Sequence, residues 1–279
     1  MMQSTKYSAL SILLSAVMLA GAAGGCSITR FRQQDELPPT NGTVAQKESG
    51  EERSQPVKYE ADDLIFDKEL TLPAGAVTAV YHASLPQFKE QGDKAPILKK
   101  INEYYETELK ALQQDCESYF SQIQASYGNT WQIAAQAAAV YTVDFTYEIV
   151  TAEADRISVI RTYKYMDINM KEKVVYTGET FDCTTGWPMK MAELFISDTE
   201  KVEKVLNEQL DAWCAGNGVD RSLLPDISLK KQDCSFAVSE DTLYLCLDEN
   251  GMSSISPGAR LIEIPLAELA GVIKQESGK

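Results

Sequence analysis

The chain has 279 residues, 26 lysines and arginines against 41 aspartates and glutamates, a formal net charge of −15 and a single histidine. An acidic balance of this size repels phosphate backbones and argues against nucleic acid as a partner. One histidine rules out an HExxH motif and any zinc site built from several imidazoles.

Met1–Ser8 is short and polar, and Ala9–Ala23 is apolar or small throughout. A membrane-spanning helix needs about 20 such residues, so this shorter run reads as the apolar part of a signal peptide over residues 1–25. Ala23-Gly24-Gly25-Cys26-Ser27 then resembles the lipobox of bacterial lipoproteins, with Ala23 where leucine is usual. The resemblance implies cleavage before Cys26 and lipidation of its thiol, which would hold the protein on the extracytoplasmic face of the cell membrane. Two or three acyl chains anchor firmly, because each buried CH₂ contributes about 0.8 kcal/mol. Ordinary secretion and an uncleaved single-span anchor are the alternatives. Residues 26–55 are rich in Glu, Gln, Ser, Gly and Pro and poor in large apolar side chains. They are expected to form a flexible spacer.

Residues 56–274 carry the folded domain, with halves of about 56–170 and 171–274 and a tail at 275–279. His82 lies in Ala79–Ala83, a strand-like stretch, and Asp62-Asp63 reads as a solvated strand end before Leu64-Ile65-Phe66. From Ile97, the positions Ile101, Tyr105, Leu109, Leu112, Cys116, Phe120 and Ile123 recur every three or four residues. That spacing predicts one face of a long helix, with Pro96 in its first turn. Strand alternation follows over Val143–Ile149 and Ile157–Tyr165, and again over Val174–Phe181, which ends at the turn Asp182–Gly186. A second helix is expected from the N-cap Asp198, burying Val202, Val205, Leu206, Leu210 and Trp213 and stopping before Gly216-Asn217-Gly218. Strands near Phe236, Leu243–Leu247 and Leu261–Ile264 precede a short helix over Leu266–Ile273. Blocks of strands and helices with short strand-to-strand links predict an α+β fold, an antiparallel sheet with the long helix and the second helix packed on it.

Several motifs in this order resemble the extracytoplasmic domain of the anti-sigma factor RsiV, which is also appended to the peptidoglycan deacetylase PdaC. They are Leu85-Pro86-Gln87-Phe88 before the long helix, Ile101-Asn102 inside it, and Phe181-Asp182-x-x-Thr185-Gly186. Met191-Ala192-Glu193-Leu194-Phe195, the stretch Phe236 to Leu247, Pro257-Gly258 and Ile264-Pro265-Leu266 complete the set. The resemblance covers roughly Val57–Ile273. It implies an α+β binding module in which Pro86, Phe88, Asn102, Asp182, Thr185, Gly186, Leu194, Phe195, Gly258 and Pro265 serve the framework. Family members often carry a Gly-Ala-His turn before the Val174 strand, where this chain has Asp167-Ile168-Asn169-Met170. RsiV-like modules recognise lysozyme, a cationic muramidase, and the acidity here has the sign to steer such a partner.

No catalytic constellation emerges. A Ser-His-Asp or Cys-His arrangement would have to use His82, and no phosphate-cradling glycine loop or CxxC pair is present. No cofactor or metal is expected. If Cys26 is lipidated, five cysteines remain. Cys116 falls on the apolar helix face, Cys234 and Cys246 flank the hairpin around Glu240-Asp241, and Cys183 and Cys214 complete the set. Bridging Cys234 to Cys246 depends on strand register, because Cys234 and Cys246 point to opposite faces if Phe236 and Val238 share the core with Leu243, Leu245 and Leu247. The expected function is a lipid-anchored binding module for a cationic protein or cell-wall ligand, not an enzyme. A structural or assembly lipoprotein without a discrete ligand is the alternative, and a protein accessory to cell-wall hydrolysis is a third. An exposed apolar patch rimmed with charge would favour capture, and a concave pair of carboxylates would favour a hydrolase.

Overall fold

Two β-sheets stacked face to face lie between two long helices in the computed structural model, which describes residues 59–153, 155–167, 169–230, 235–247 and 260–274. The expectations for the signal run, Cys26, the spacer, Cys234, Gly258 and the tail lie outside the described residues.

The larger sheet has six strands in sequential order, β1 (Ala61–Thr71), β2 (Val77–Phe88), β3 (Tyr141–Ala152), β4 (Arg156–Met166), β5 (Glu172–Asp182) and the two-residue β6 (Trp187–Pro188). Its pairs are antiparallel except β2–β3, which run parallel from Ala79↔Tyr141 to Ala83↔Phe145. A parallel pair needs a long crossover, and here that crossover contains α1 (Ala95–Tyr127). This is the one departure from the expected antiparallel sheet, and the overall class is α+β as the sequence predicts.

The helix α1 forms where the periodicity places it, with Pro96 in its first turn and Gly128, at φ +52°, closing it. Leu98, Ile101, Tyr105, Leu112, Cys116, Phe120 and Ile123 are buried beneath it. Leu109, expected on that face, is only partly buried. Glu108, one residue before it, faces inward to Arg161 of β4 (Nη1–Oε2 3.1 Å). A polar contact thus occupies this level of the interface, and Leu109 stays at its rim.

On the other side of the large sheet lies a three-stranded antiparallel meander, β7 (Ser235–Val238), β8 (Thr242–Leu247) and β9 (Arg260–Pro265). Its far face packs on α2 (Thr199–Asn217). Phe236, Val238, Leu243, Leu245, Ile262 and Ile264 meet Val202, Leu206 and Leu210 there, while Val205 and Trp213 are partly buried at the margin. Asp198 caps α2 by accepting from the Lys201 amide at 2.9 Å, and Gly218 ends it at φ +64°. The C-terminal segment forms a 3-10 turn over Leu266–Leu269 instead of the expected helix, since Pro265 precedes it and Gly271 takes φ +88°.

The two sheets meet through β5. A side-chain carbon added at Gly178 would lie 2.6 Å from the Ala237 nitrogen and closer still to the Phe236 carbonyl carbon, so only glycine permits this approach. The Gly178 amide donates to Ser235 Oγ at 3.0 Å. The hairpin register, Phe236↔Leu245 and Val238↔Leu243, puts Cys246 opposite Ser235. Cys246 therefore points away from the α2 core, yet it is buried because the large sheet covers that second face.

Candidate binding surface

Among the described residues, three regions bear on the expected site. The first is internal. Arg161, on β4, is buried under α1 and donates to Glu108 and to Glu179 Oε1 of β5 at 2.6 Å, with its guanidinium 5.3 Å from the Phe145 ring. Tyr104 also donates to Glu179 Oε1, at 2.6 Å. Burial raises the pKa of Glu179 against the opposing pull of Arg161 and the Tyr104 hydroxyl. The Arg161 guanidinium thus bridges the Glu108 and Glu179 carboxylates and ties helix to sheet.

The second region holds the residues that the sequence resemblance singles out. Asn102, buried on α1, donates from Nδ2 to the Phe88 carbonyl and accepts from the Phe88 amide, both at 2.8 Å, so its side chain acts as one more ladder rung at the end of β2. Pro86 and Phe88 are buried in the same strand. Asp182 opens the turn after β5. Burial raises its pKa, but the Thr184 amide at 2.6 Å and the Thr185 hydroxyl at 3.2 Å outweigh that and hold the carboxyl below its ordinary value. Gly186 takes φ +76°, and a side chain there would press on Lys100 and Ile97 of α1. Lys94 and Lys100 donate to the Cys183 and Thr185 carbonyls at 2.9 and 3.1 Å. Leu194 and Phe195 are buried in the α2 core, and Pro265 ends β9. These positions clamp the first turns of α1 and the C-terminal half. His82, the lone histidine, sits on β2 with Nδ1 2.6 Å from Asp67 of β1, and among the described residues no serine or cysteine hydrogen-bonds to this pair.

The third region lies where α1 ends, β3 begins and the β4–β5 hairpin turns. The Tyr119 hydroxyl donates to the Met166 carbonyl at 2.7 Å. Tyr127 shares a 2.9 Å hydrogen bond with the buried Thr78 hydroxyl, accepts from the Ala138 amide at 3.1 Å and packs edge-on to Trp131 at 5.3 Å. Tyr163 and Tyr165 stack at 4.8 Å. The Tyr119 and Tyr127 tips find partners, so these rings are fixed rather than loose. On this framework three apolar side chains face solvent: Ile133 at 80% exposure, Val140 at 47% and Met170 at 38%. Asp167, Lys171, Glu172 and Lys173 surround the hairpin tip.

Met170 takes φ +59° and is the one non-glycine with positive φ among the described residues. The turn forces that angle. Asp167 Oδ1 accepts from the Asn169 and Lys171 amides at 2.8 and 2.9 Å, while the Met170 amide donates to the Asp167 carbonyl at 2.9 Å. A bulky residue in the left-handed region costs about 1–3 kcal/mol and persists where the surroundings impose it. The sequence marks residues 167–170 as a departure from the family pattern but assigns no role there. Ile133 and Val140 lie in an alanine-rich stretch without periodicity, and only their exposure in the fold reveals them.

No family model matches the chain, and no curated protein matches it either. Solved structures do. A DUF3298 family member from Bacteroides fragilis aligns at TM-score 0.53 and 13% identity, over 79% of this chain and 96% of that one. A DUF3298 family protein from Pseudomonas aeruginosa aligns at TM-score 0.51 and 12% identity, over 79% and 95%. At such identity the likeness is one of fold.

Proposed function

We propose that this chain is a lipid-anchored, extracytoplasmic binding module of the RsiV/PdaC-like kind, which captures a cationic, lysozyme-like protein and carries out no catalysis of its own. The observation that carries the reading is the exposed Ile133, Val140 and Met170 on a frame of hydrogen-bonded tyrosines, with charge around the hairpin tip. Rigid aromatics and methionine beneath a polar rim are the composition of protein-binding hot spots. The strained Met170 agrees with it, because glycine at this position would relax the turn but present no side chain. Net charge of −15 supplies long-range attraction for a basic partner. The spacer and the lipid on Cys26 would hold the module clear of the membrane.

The test is binding of the whole chain to lysozyme, with Ile133→Asp and Met170→Asp compared with the wild type by calorimetry. Each substitution adds negative charge, so electrostatics alone would strengthen binding to a cation. Loss of about tenfold or more in affinity, equivalent to about 1.4 kcal/mol, supports the patch. Unchanged or tighter binding refutes it.

A further inference from the structure

The strand β1 is an edge of the large sheet, paired only with β2 among the described residues. Its backbone can be assigned group by group. The Lys89 amide donates to the Glu60 carbonyl at 2.9 Å, which marks Glu60 and Lys89 as a hydrogen-bonded pair. In an antiparallel ladder such pairs alternate, and the register is regular from Ala61↔Phe88 to Leu70↔Ala79. Asp62, Leu64, Phe66 and Lys68 therefore bond inward to β2. Ala61, Asp63, Ile65, Asp67 and Glu69 turn their N–H and C=O groups outward, and no described backbone group meets them.

The side chains on this edge are patterned too. Phe66 packs on Tyr81 and Lys68 bonds to Glu117 of α1, so the even-numbered residues face the helix. The odd-numbered ones, Asp63, Ile65, Asp67 and Glu69, are exposed on the open side, Ile65 at 54%. Two of the carboxylates are held in place. Asp67 contacts His82, and Asp63 accepts from Ser84 at 3.3 Å and from Tyr147 at 2.7 Å. Like charges at these positions oppose pairing with a second copy of the same edge.

We propose that the β1 edge is a docking site for an extended basic segment of a protein partner, which adds to the sheet as a further strand. Main-chain bonds to residues 61–69 would supply affinity and alternate side chains would supply specificity, as in other strand-addition complexes. Residues opposite each other in a ladder share a face, so the incoming strand needs cations opposite Asp63, Asp67 and Glu69 and an aliphatic residue opposite Ile65. The proposal deepens the capture reading above, on which it rests, by giving the partner a second foothold. Its test is independent of the aromatic patch.

The probe is a peptide of lysine, threonine, lysine, threonine, valine, threonine, lysine, set to run antiparallel to β1, added to the whole chain and followed by amide exchange. In the free protein the amides of Asp62, Leu64, Phe66 and Lys68 should exchange slowly and those of Asp63, Ile65, Asp67 and Glu69 fast. The peptide should slow the second set by about tenfold or more. An isomer with its three lysines contiguous, and a copy N-methylated at its edge-facing amides, should not. Ile65→Pro removes an outward N–H and replaces an exposed aliphatic side chain, changes that an edge strand tolerates. It should keep the melting temperature and lose the peptide. Equal protection by the scrambled or N-methylated peptide, or none by the designed one, overturns the proposal. So does prior protection of the odd-numbered amides, by the chain's own N-terminal segment if independent of protein concentration or by a second copy if it grows with concentration. Ile133→Asp and Met170→Asp should leave peptide protection intact, so failure at the edge and failure at the patch are separable.

Discussion

Replacing Arg161 by leucine should unmask the carboxylates that the guanidinium holds. Its side chain is 5% exposed, against 7% for Glu179 and 24% for Glu108. Removing one partner of a buried pair typically costs about 3–5 kcal/mol, because the other charge stays buried without compensation. Glu179 dominates here, since Glu108 reaches solvent. For a domain of this size each kcal/mol lowers the midpoint by about 2–4 °C, so Arg161→Leu should melt roughly 10 °C lower at neutral pH. The deficit should depend on pH with a definite sign. Burial already raises the folded pKa of Glu179, and loss of Arg161 removes the largest opposing influence. The folded variant then holds a proton that the unfolded chain releases near its ordinary value of about 4.3, so stability falls as pH rises above that value and is restored below it. Thermal melts between pH 4 and 8 measure this directly. Arg161→Leu combined with Glu179→Gln should recover most of the loss and flatten the pH dependence, because the amide still accepts from Tyr104. A single variant within about 1 kcal/mol of wild type, or a double variant no better than the single, would refute the assignment of this cluster as the clamp between α1 and the sheet.

Other perturbations read other joints of the fold. Gly178→Val should separate the two sheets at Phe236 and Ala237, costing at least the roughly 1–3 kcal/mol of ordinary overpacking, as measured by urea titration. Asn102→Leu strands the Phe88 amide and carbonyl and should cost about 2–4 kcal/mol on the same assay, with Asn102→Asp recovering only the amide bond. Burial pushes the Cys183 thiol up to about 12 and the Cys116 thiol up to about 11, so both should resist alkylation at pH 8 in the folded protein and react once urea unfolds it. Cys26→Ala should abolish incorporation of labelled palmitate in a bacterial host, and equal label in both forms would contradict lipidation at Cys26.

The parts of the fold visible in the sequence are those governed by local periodicity. The 3.6-residue repeat of Ile101 to Ile123, the strand character of β3 and β4 and the Asp198 cap each follow from one segment's own chemistry, although β4 is buried on both faces over Ile157–Arg161. What escaped depends on residues far apart in the chain. The strand-like stretch Ala79–Ala83 belongs to a longer strand, β2, whose buried Tyr81 and Leu85 face α1 and the rest of the sheet only once the chain is folded. The parallel β2–β3 pairing is set by the path of α1 and not by any local signal. Cys246 looks outward by strand parity and is buried because a second sheet lies beyond it. Leu109 loses its expected place to the Glu108–Arg161 contact, which joins positions 53 residues apart. The aromatic end was not legible, since Tyr119, Tyr127, Tyr141 and Met170 come together only through the meeting of a helix end, a strand start and a hairpin tip.

The most direct measurement of the central claim is a titration of the whole chain with lysozyme and, in parallel, with cytochrome c of similar charge, in about 0.15 M salt where the Debye length is about 8 Å. Capture through a specific patch predicts saturable binding of lysozyme alone, with an association rate that falls as salt rises while the complex survives at that concentration. Equal binding of both proteins, or binding that vanishes at that ionic strength, would contradict it and reduce the interaction to the general attraction of an acidic surface for any basic protein.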